Sequence, residues 1–245
     1  MLVLALDTTT REGSCALARD GRVLREQASD ASKPQAARLP GDLMELLEHE
    51  HVTLADIDIY AVSIGPGSFT GLRVGIATMQ GLAFAAGKPL IGISALDALH
   101  ASALQANQDA AQYATDDAAR AFTARVATWI DAWRGEIYAA LYEGGVEVEA
   151  PAIAHPDDLL PRLAGTPTLF IGDGAGTCAD AIRAACGNAA LSDPVMPPLA
   201  GTIARLAGEA ARAGHLPPPH AIRPIYVRRP PSPDGFGEAG SRRAV

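Results

Sequence analysis

No apolar run in these 245 residues reaches the ~18–20 residues that a bilayer span needs. The opening Met1-Leu2-Val3-Leu4-Ala5-Leu6 has no basic leader and no cleavage site, and it runs straight into Asp7. It reads as a strand, not a signal peptide. Cysteine is scarce: Cys15, Cys178 and Cys186 show no metal-ligand pairing, and an odd count without a secretory signal suits a reducing compartment. Positive charge is also short. A net charge of −8 argues against a free-standing nucleic-acid binder, because phosphate contacts dominate such affinity. It is compatible with a subunit of an RNA-processing complex. These absences predict a cytoplasmic protein that spans no membrane. What is plentiful is core material, at 48% hydrophobic residues, enough for one or two domains.

The first half reads as β-β-β-α-β-α-β-α. Leu2 to Asp7 is a buried strand, and Ser14 to Ala18 with Arg22 to Gln27 forms a hairpin across Arg19-Asp20-Gly21. Helices are expected over about 34–50, 70–86 and 94–105, with strands at 57–64 and 89–93 between them. Residues 107–122, polar and alanine-rich, read as a linker or helix extension. A second unit of similar order follows over 123–227, with strands at 124–131, 136–142, 146–149 and 168–171 and helices near 156–163, 179–185 and 202–213. An internal duplication would explain the echo. Residues 228–245, rich in proline, glycine and charge, are expected to be disordered or draped over the surface. The first lobe is then 1–106, and the whole is α/β with mixed sheets flanked by helices.

Chemistry-bearing residues are few. Asp7-Thr8-Thr9 closes the first strand before a hairpin, where an acid and two hydroxyls would hold a magnesium-bound phosphate. The alternative is a strand end stabilised by local side-chain to backbone bonds. His49 and His51 point to different helix faces, and Glu45 with His49 reads as a solvated pair rather than a metal site. No strand–Gly-x-Ser-x-Gly–helix elbow occurs. Gly172-Asp173-Gly174 after a strand would face a nucleotide, on weak evidence alone.

The most informative stretch is Ile64-Gly65-Pro66-Gly67-Ser68-Phe69-Thr70-Gly71-Leu72-Arg73. A glycine-proline turn leaves a strand, and Ser68 or Thr70 caps a helix with hardly any polar face. Leu72, Ile76, Met79 and Ala83 mark one side of it. Gly71, Gly75, Thr78 and Leu82 mark a second, and Val74, Ala77 and Gly81 a third. A helix apolar all round must be covered on every side. The small-residue side, Gly71, Gly75 and Thr78, either packs inside its own lobe or admits a partner helix.

Together these segments resemble the bacterial TsaB (YeaZ) family. So do Ile93-Ser94-Ala95-Leu96, Asp131-Ala132-Trp133-Arg134-Gly135-Glu136-Ile137-Tyr138 and Pro224-Ile225-Tyr226-Val227-Arg228. The resemblance covers roughly residues 1–230. It implies an actin/hexokinase-like fold (ASKHA, ribonuclease H-like) of two related lobes. It also implies a role in making threonylcarbamoyladenosine in tRNA. The catalytic relative TsaD carries a metal-binding His-x-x-x-His pair on its first long helix. Here no histidine occurs between Met1 and Glu48, so the same metal site is absent. Where the family often has a Ser-Glu pair early in that helix, this chain has Gln35-Ala36. Pro40 falls inside the helix and removes a backbone donor.

The resemblance therefore implies a non-catalytic scaffold subunit. It would pair with TsaD, homodimerise when alone, and meet the ATPase TsaE and tRNA only through the complex. The expected partner face is Leu39, Leu43, Leu46 and Leu47 on the first helix with Gly71, Val74, Gly75, Thr78 and Leu82 on the second. No cofactor is expected to bind stably. Asp7, Thr8 and Thr9 are then inherited architecture, with a weakly held nucleotide at the subunit interface left open. The competing reading is a stand-alone kinase or peptidase of the same fold.

Overall fold

In the computed structural model, residues 1–227 are described apart from 11, 31, 33 and 114–124, with the backbone alone described over 107–113. Strand β1 (Leu2–Asp7) is buried along its whole length because it is central, antiparallel to β2 (Ser14–Arg19) and parallel to β4 (Ile59–Ser63). β3 (Arg22–Ala28) and β5 (Leu90–Ile93) complete a five-stranded sheet in the order β3-β2-β1-β4-β5. The second sheet uses β6 (Arg125–Asp131), β7 (Ile137–Glu143), β8 (Val146–Ala154), β9 (Thr168–Ile171) and β10 (Ala189–Leu191). Its order is β8-β7-β6-β9-β10, the same topology with the same parallel and antiparallel pairs. The chain is thus two copies of one mixed-sheet unit.

Helices cover both faces of each sheet. α1 (Gln35–His49) and α2 (Phe69–Ala86) lie on the outer face of the first sheet. Leu39, Leu43, Leu46 and Leu47 of α1 and Leu72, Ile76, Met79 and Ala83 of α2 enclose Leu4, Leu6, Leu17 and Val62. On the outer face of the second sheet lie α4 (Pro156–Leu163), α5 (Asp173–Thr177) and α6 (Ala179–Ala185), over Trp129, Leu141 and Phe170. Between the sheets sit α3 (Ala95–Tyr113) and α7 (Ala200–Arg212). The third helix of each unit packs mainly on the other unit's sheet: α3 on β6, α7 on β1, β2 and β4. One apolar core therefore runs through both lobes, from Val3 and Ala61 to Ile130, Ile171 and Ile203.

This exchange corrects a division of the chain at 123–227, since α7 belongs by packing to the first sheet. α3 continues to Tyr113, so the start of 107–122 is helical, while 114–122 and the tail 228–245 lie outside the described residues. Two elements were not legible. β10 is Ala-Ala-Leu, with no β-branched residue to mark it, and Asp173 opens a short helix instead of a turn. α1 runs through Pro40 without a break. Among the described residues no helix is long and apolar enough to cross a membrane.

Candidate functional site

The end of β1 carries the expected acid and hydroxyls, all three buried. Asp7 Oδ1 accepts from Thr9 N at 3.0 Å and Thr9 Oγ1 at 2.6 Å, a local turn closed on itself. Thr8 Oγ1 donates to Gly71 O at 2.9 Å, and Ser68 N donates to Thr9 O at 2.8 Å. The Gly65-Pro66-Gly67 loop is thereby seated on the threonines. A Cβ on Gly67 would collide with Thr9, so only glycine allows that approach. Burial pushes the Asp7 carboxyl above its ordinary value, against the lowering effect of the Thr9 bonds, and Asp173 across the cleft pushes in the same direction as burial.

Asp131, the last residue of β6, is the topological counterpart of Asp7, and Asp173 stands beside it just after β9. Asp173 Oδ1 accepts from Asp131 N at 2.9 Å, and burial raises its carboxyl as well. Asp7, buried at the end of β1, and Asp173, half-buried just after β9, thus lie close enough for the second charge to push up the first carboxyl. The cavity bounded by Asp7, Gly13, Ser14 and Pro198 measures about 50 Å³, room for a few waters, whereas ligand pockets span ~300–1,000 Å³. The N-terminal amides of α7, a ready anion site if open, are occupied by the chain itself. Ser14 Oγ accepts from Leu199 N at 3.2 Å and Ala200 N at 3.0 Å, and Glu26 Oε1 accepts from Gly201 N at 2.7 Å.

A stability test follows from this burial. A carboxyl whose folded pKa is raised costs stability where it is ionised, and that cost fades as pH falls toward its unfolded value of 3.8. Asp7→Asn keeps an acceptor for Thr9 and removes the buried charge. We expect Asn to raise the melting temperature at pH 7 by roughly 2–4 °C, for a gain on the order of 1 kcal/mol. The gain should shrink at pH 4. Thermal melts at both pH values check it, and a fall in melting temperature at pH 7 would show that the hydrogen bonds to the carboxylate outweigh the cost of burying it.

The expected partner residues divide sharply. Leu39, Leu43, Leu46 and Leu47 are buried in the first lobe's own core, because α1 turns its leucine side to the sheet. Gly71 and Gly75 are buried too. A Cβ on Gly71 would strike Thr8 O and the Gln35 side chain, and one on Gly75 would strike the Thr8 side chain. These six positions serve internal packing, which corrects their assignment to a partner face. Val74, Thr78 and Leu82 are half-buried at the edge, with Thr78 Oγ1 donating to Val74 O at 2.8 Å.

The outward side of α2 is the third stripe. Arg73, Ala77, Gly81 and Phe84 are exposed, Phe84 by 81%. At its start Phe69 is 54% exposed, with the Arg73 guanidinium 3.9 Å over its ring and Tyr226 6.0 Å away. Beside it, α1 turns out Ala37, Pro40, Gly41 and Met44, the last 49% exposed. A Cβ on Gly41 or Gly81 would meet nothing within 4 Å. Each mid-helix glycine costs ~1 kcal/mol relative to alanine, and nothing among the described residues requires either. Ala77 and Gly81 belong to the third stripe read from the sequence with Val74, and Phe69, Phe84 and Met44 extend that face.

Two duplicated lobes, interlocked through their third helices with an acid at a strand end of each, define an actin/hexokinase-like protein. Comparison with known proteins narrows the class. Residues 26–169 match the family model of TsaD, tRNA N6-adenosine threonylcarbamoyltransferase. The chain is 34% identical over 175 residues to the tRNA threonylcarbamoyladenosine biosynthesis protein TsaB of Escherichia coli, covering 67% of this chain and 68% of that one. The solved structure of YeaZ from Pseudomonas aeruginosa superposes with a TM-score of 0.68 at 28% identity, over 92% of this chain and 99% of that one. An uncharacterized protein of Mycobacterium leprae is 29% identical over 237 residues, 94% of this chain, which spans 55% of that relative's length. The chain belongs to the TsaB (YeaZ) family.

Proposed function

We propose that this chain is the non-catalytic partner subunit in the synthesis of threonylcarbamoyladenosine on tRNA. It holds TsaD through the outward face of α1 and α2. The observation that carries the reading is that face: small residues along the middle of α2, exposed aromatics at both ends, and two helical glycines with open space above them. Glycine and alanine let a second helix approach closely, and flanking aromatics supply the large contact areas that dominate interface energies. TsaD shares the fold, so its own outer helices are the natural counterpart, and without TsaD a second copy of this chain takes that place. TsaE and tRNA meet the chain only in the complex, in the cytoplasm.

The catalytic steps belong to TsaD in this reading. The first helix carries no histidine before His49, and the cavity lined by Asp7 and Ser14 holds only about 50 Å³, which supports a structural part for this strand end. Asp7, Thr8 and Thr9 act as structure, bracing the glycine turn that starts α2, and no cofactor binds there stably. Co-purification with tagged TsaD, with and without tRNA, tests the assignment. The expected result is a complex competent for tRNA modification, with neither component active alone. Threonylcarbamoyl transfer, phosphoryl transfer or peptide cleavage by this chain alone would overturn it in favour of a stand-alone enzyme.

A further inference from the structure

The two units differ where they should match. Over the first sheet, α1 is fifteen residues long and fills the space above β2 and β3 with Leu39, Leu43, Leu46 and Leu47. Its counterpart α4 has eight residues. Beneath it the floor of the second sheet is built from small residues: Ala127 on β6, Ala139 on β7, and Ala152 and Ala154 on β8. β8 also bows out. Ala139 pairs with Ala152 and Leu141 with Glu149, so Ala140 faces two residues, Ala150 and Pro151. Proline has no N–H for the ladder, and a bulge accommodates it. The result is a cleft of about 500 Å³ walled by Trp129, Leu159 and Leu163. Nothing in the scaffold role uses it.

Its rim is charged and unbalanced. Glu136, Glu149 and Asp158 stand at the mouth with Arg162 and His155. Arg162 Nη2 lies 2.6 Å from Glu149 Oε1, tying α4 to β8. His155 Nδ1 lies 3.2 Å from Gly135 O, and its Nε2 is 3.8 Å from Glu136 Oε1. An apolar floor takes a flat hydrocarbon or aromatic body, and with Glu149 tied to Arg162 and Glu136 facing His155, the exposed Asp158 carboxylate leaves the rim negative, which favours a cationic head over an anionic one. We propose that this cleft is a small-molecule site for an arylalkylamine, protonated at neutral pH. The ring would lie on Ala152, Ala154 and Leu159, and the ammonium group beside Asp158.

Three probes of one ring system separate the contributions: tryptamine, indole and indole-3-acetate. Titration of the full chain by calorimetry or ligand-observed NMR should rank tryptamine tightest. Indole should be at least threefold weaker and indole-3-acetate at least tenfold weaker, with the tryptamine advantage shrinking as salt is raised. Ala152→Leu, which fills the floor, should abolish binding of tryptamine and indole. Asp158→Asn, at an exposed rim position, should cut the tryptamine advantage over indole at least twofold and leave indole unchanged. Equal binding of the amine and the acid, or tryptamine affinity that survives Ala152→Leu, would overturn the proposal. Should that variant fail to fold, an unchanged amine preference in Asp158→Asn would overturn it equally.

Discussion

Gly81→Arg should fold as the parent chain does and lose its partner. Gly81 lies on the outward side of α2 with open space around its Cα, so the arginine side chain extends into solvent in the isolated lobe. Helix propensity even favours the change, by up to ~1 kcal/mol. In the proposed complex the same position would sit where two helices approach, and a long charged side chain there would be both oversized and unpaired. Overpacking costs roughly 1–3 kcal/mol, and an uncompensated buried charge roughly 3–5 kcal/mol. Affinity for TsaD, and self-association, should fall by at least about 100-fold, since ~1.4 kcal/mol is tenfold. Light scattering and thermal melting read folding and assembly, and reconstituted tRNA modification reads function. Gly81→Ala gives the finer check: a melting temperature equal to or above the parent's, with weaker association. A Gly81→Arg chain that melts normally, binds TsaD and supports modification would remove α2 from the interface.

The fold was legible because its signals are local and repeated. Alternating strand and helix patterns, the Asp20-Gly21 turn and the Gly65-Pro66-Gly67 loop marked most elements, and the order of the second half matched the first. What stayed hidden was relational. α7 carries an amphipathic stripe that says it is covered, and nothing in that stripe says by which sheet. The cleft in the second lobe comes from alanines and Pro151, residues that announce no site one at a time. The phase of α2 was undetermined for a plainer reason. With no polar face, each of its three stripes could have met the sheet, a neighbouring loop or a partner, and sequence offers no polar residues to choose among them. The choice is made by Thr8. Its side chain and carbonyl occupy the space in front of Gly75 and Gly71, which turns that stripe inward and leaves Ala77 and Gly81 outward.

Gly75→Leu should consequently fail by unfolding, not by dissociation. The added side chain would begin inside the volume of Thr8, which is buried and fixed by its bond to Gly71 O. Thr8 cannot step aside freely. Asp7 holds Thr9 on one flank, and Ser68 N is bonded to Thr9 O, so displacement would drag the start of α2 with it. Interiors packed at crystal-like density absorb such an insertion poorly, and a cost of at least ~3 kcal/mol is expected. For a chain of this length that lowers the melting temperature by roughly 6–12 °C, at ~2–4 °C per kcal/mol. A double-mutant cycle locates the clash. Gly75→Ala alone should destabilise, and pairing it with Thr8→Ala, which removes Oγ1 and Cγ2 from the path of the new methyl, should recover part of the loss. The folded fraction of Gly75→Ala should bind TsaD with unchanged affinity. A Gly75→Leu chain that melts like the parent yet releases its partner would instead put the glycine stripe at the interface and Ala77 and Gly81 outside it.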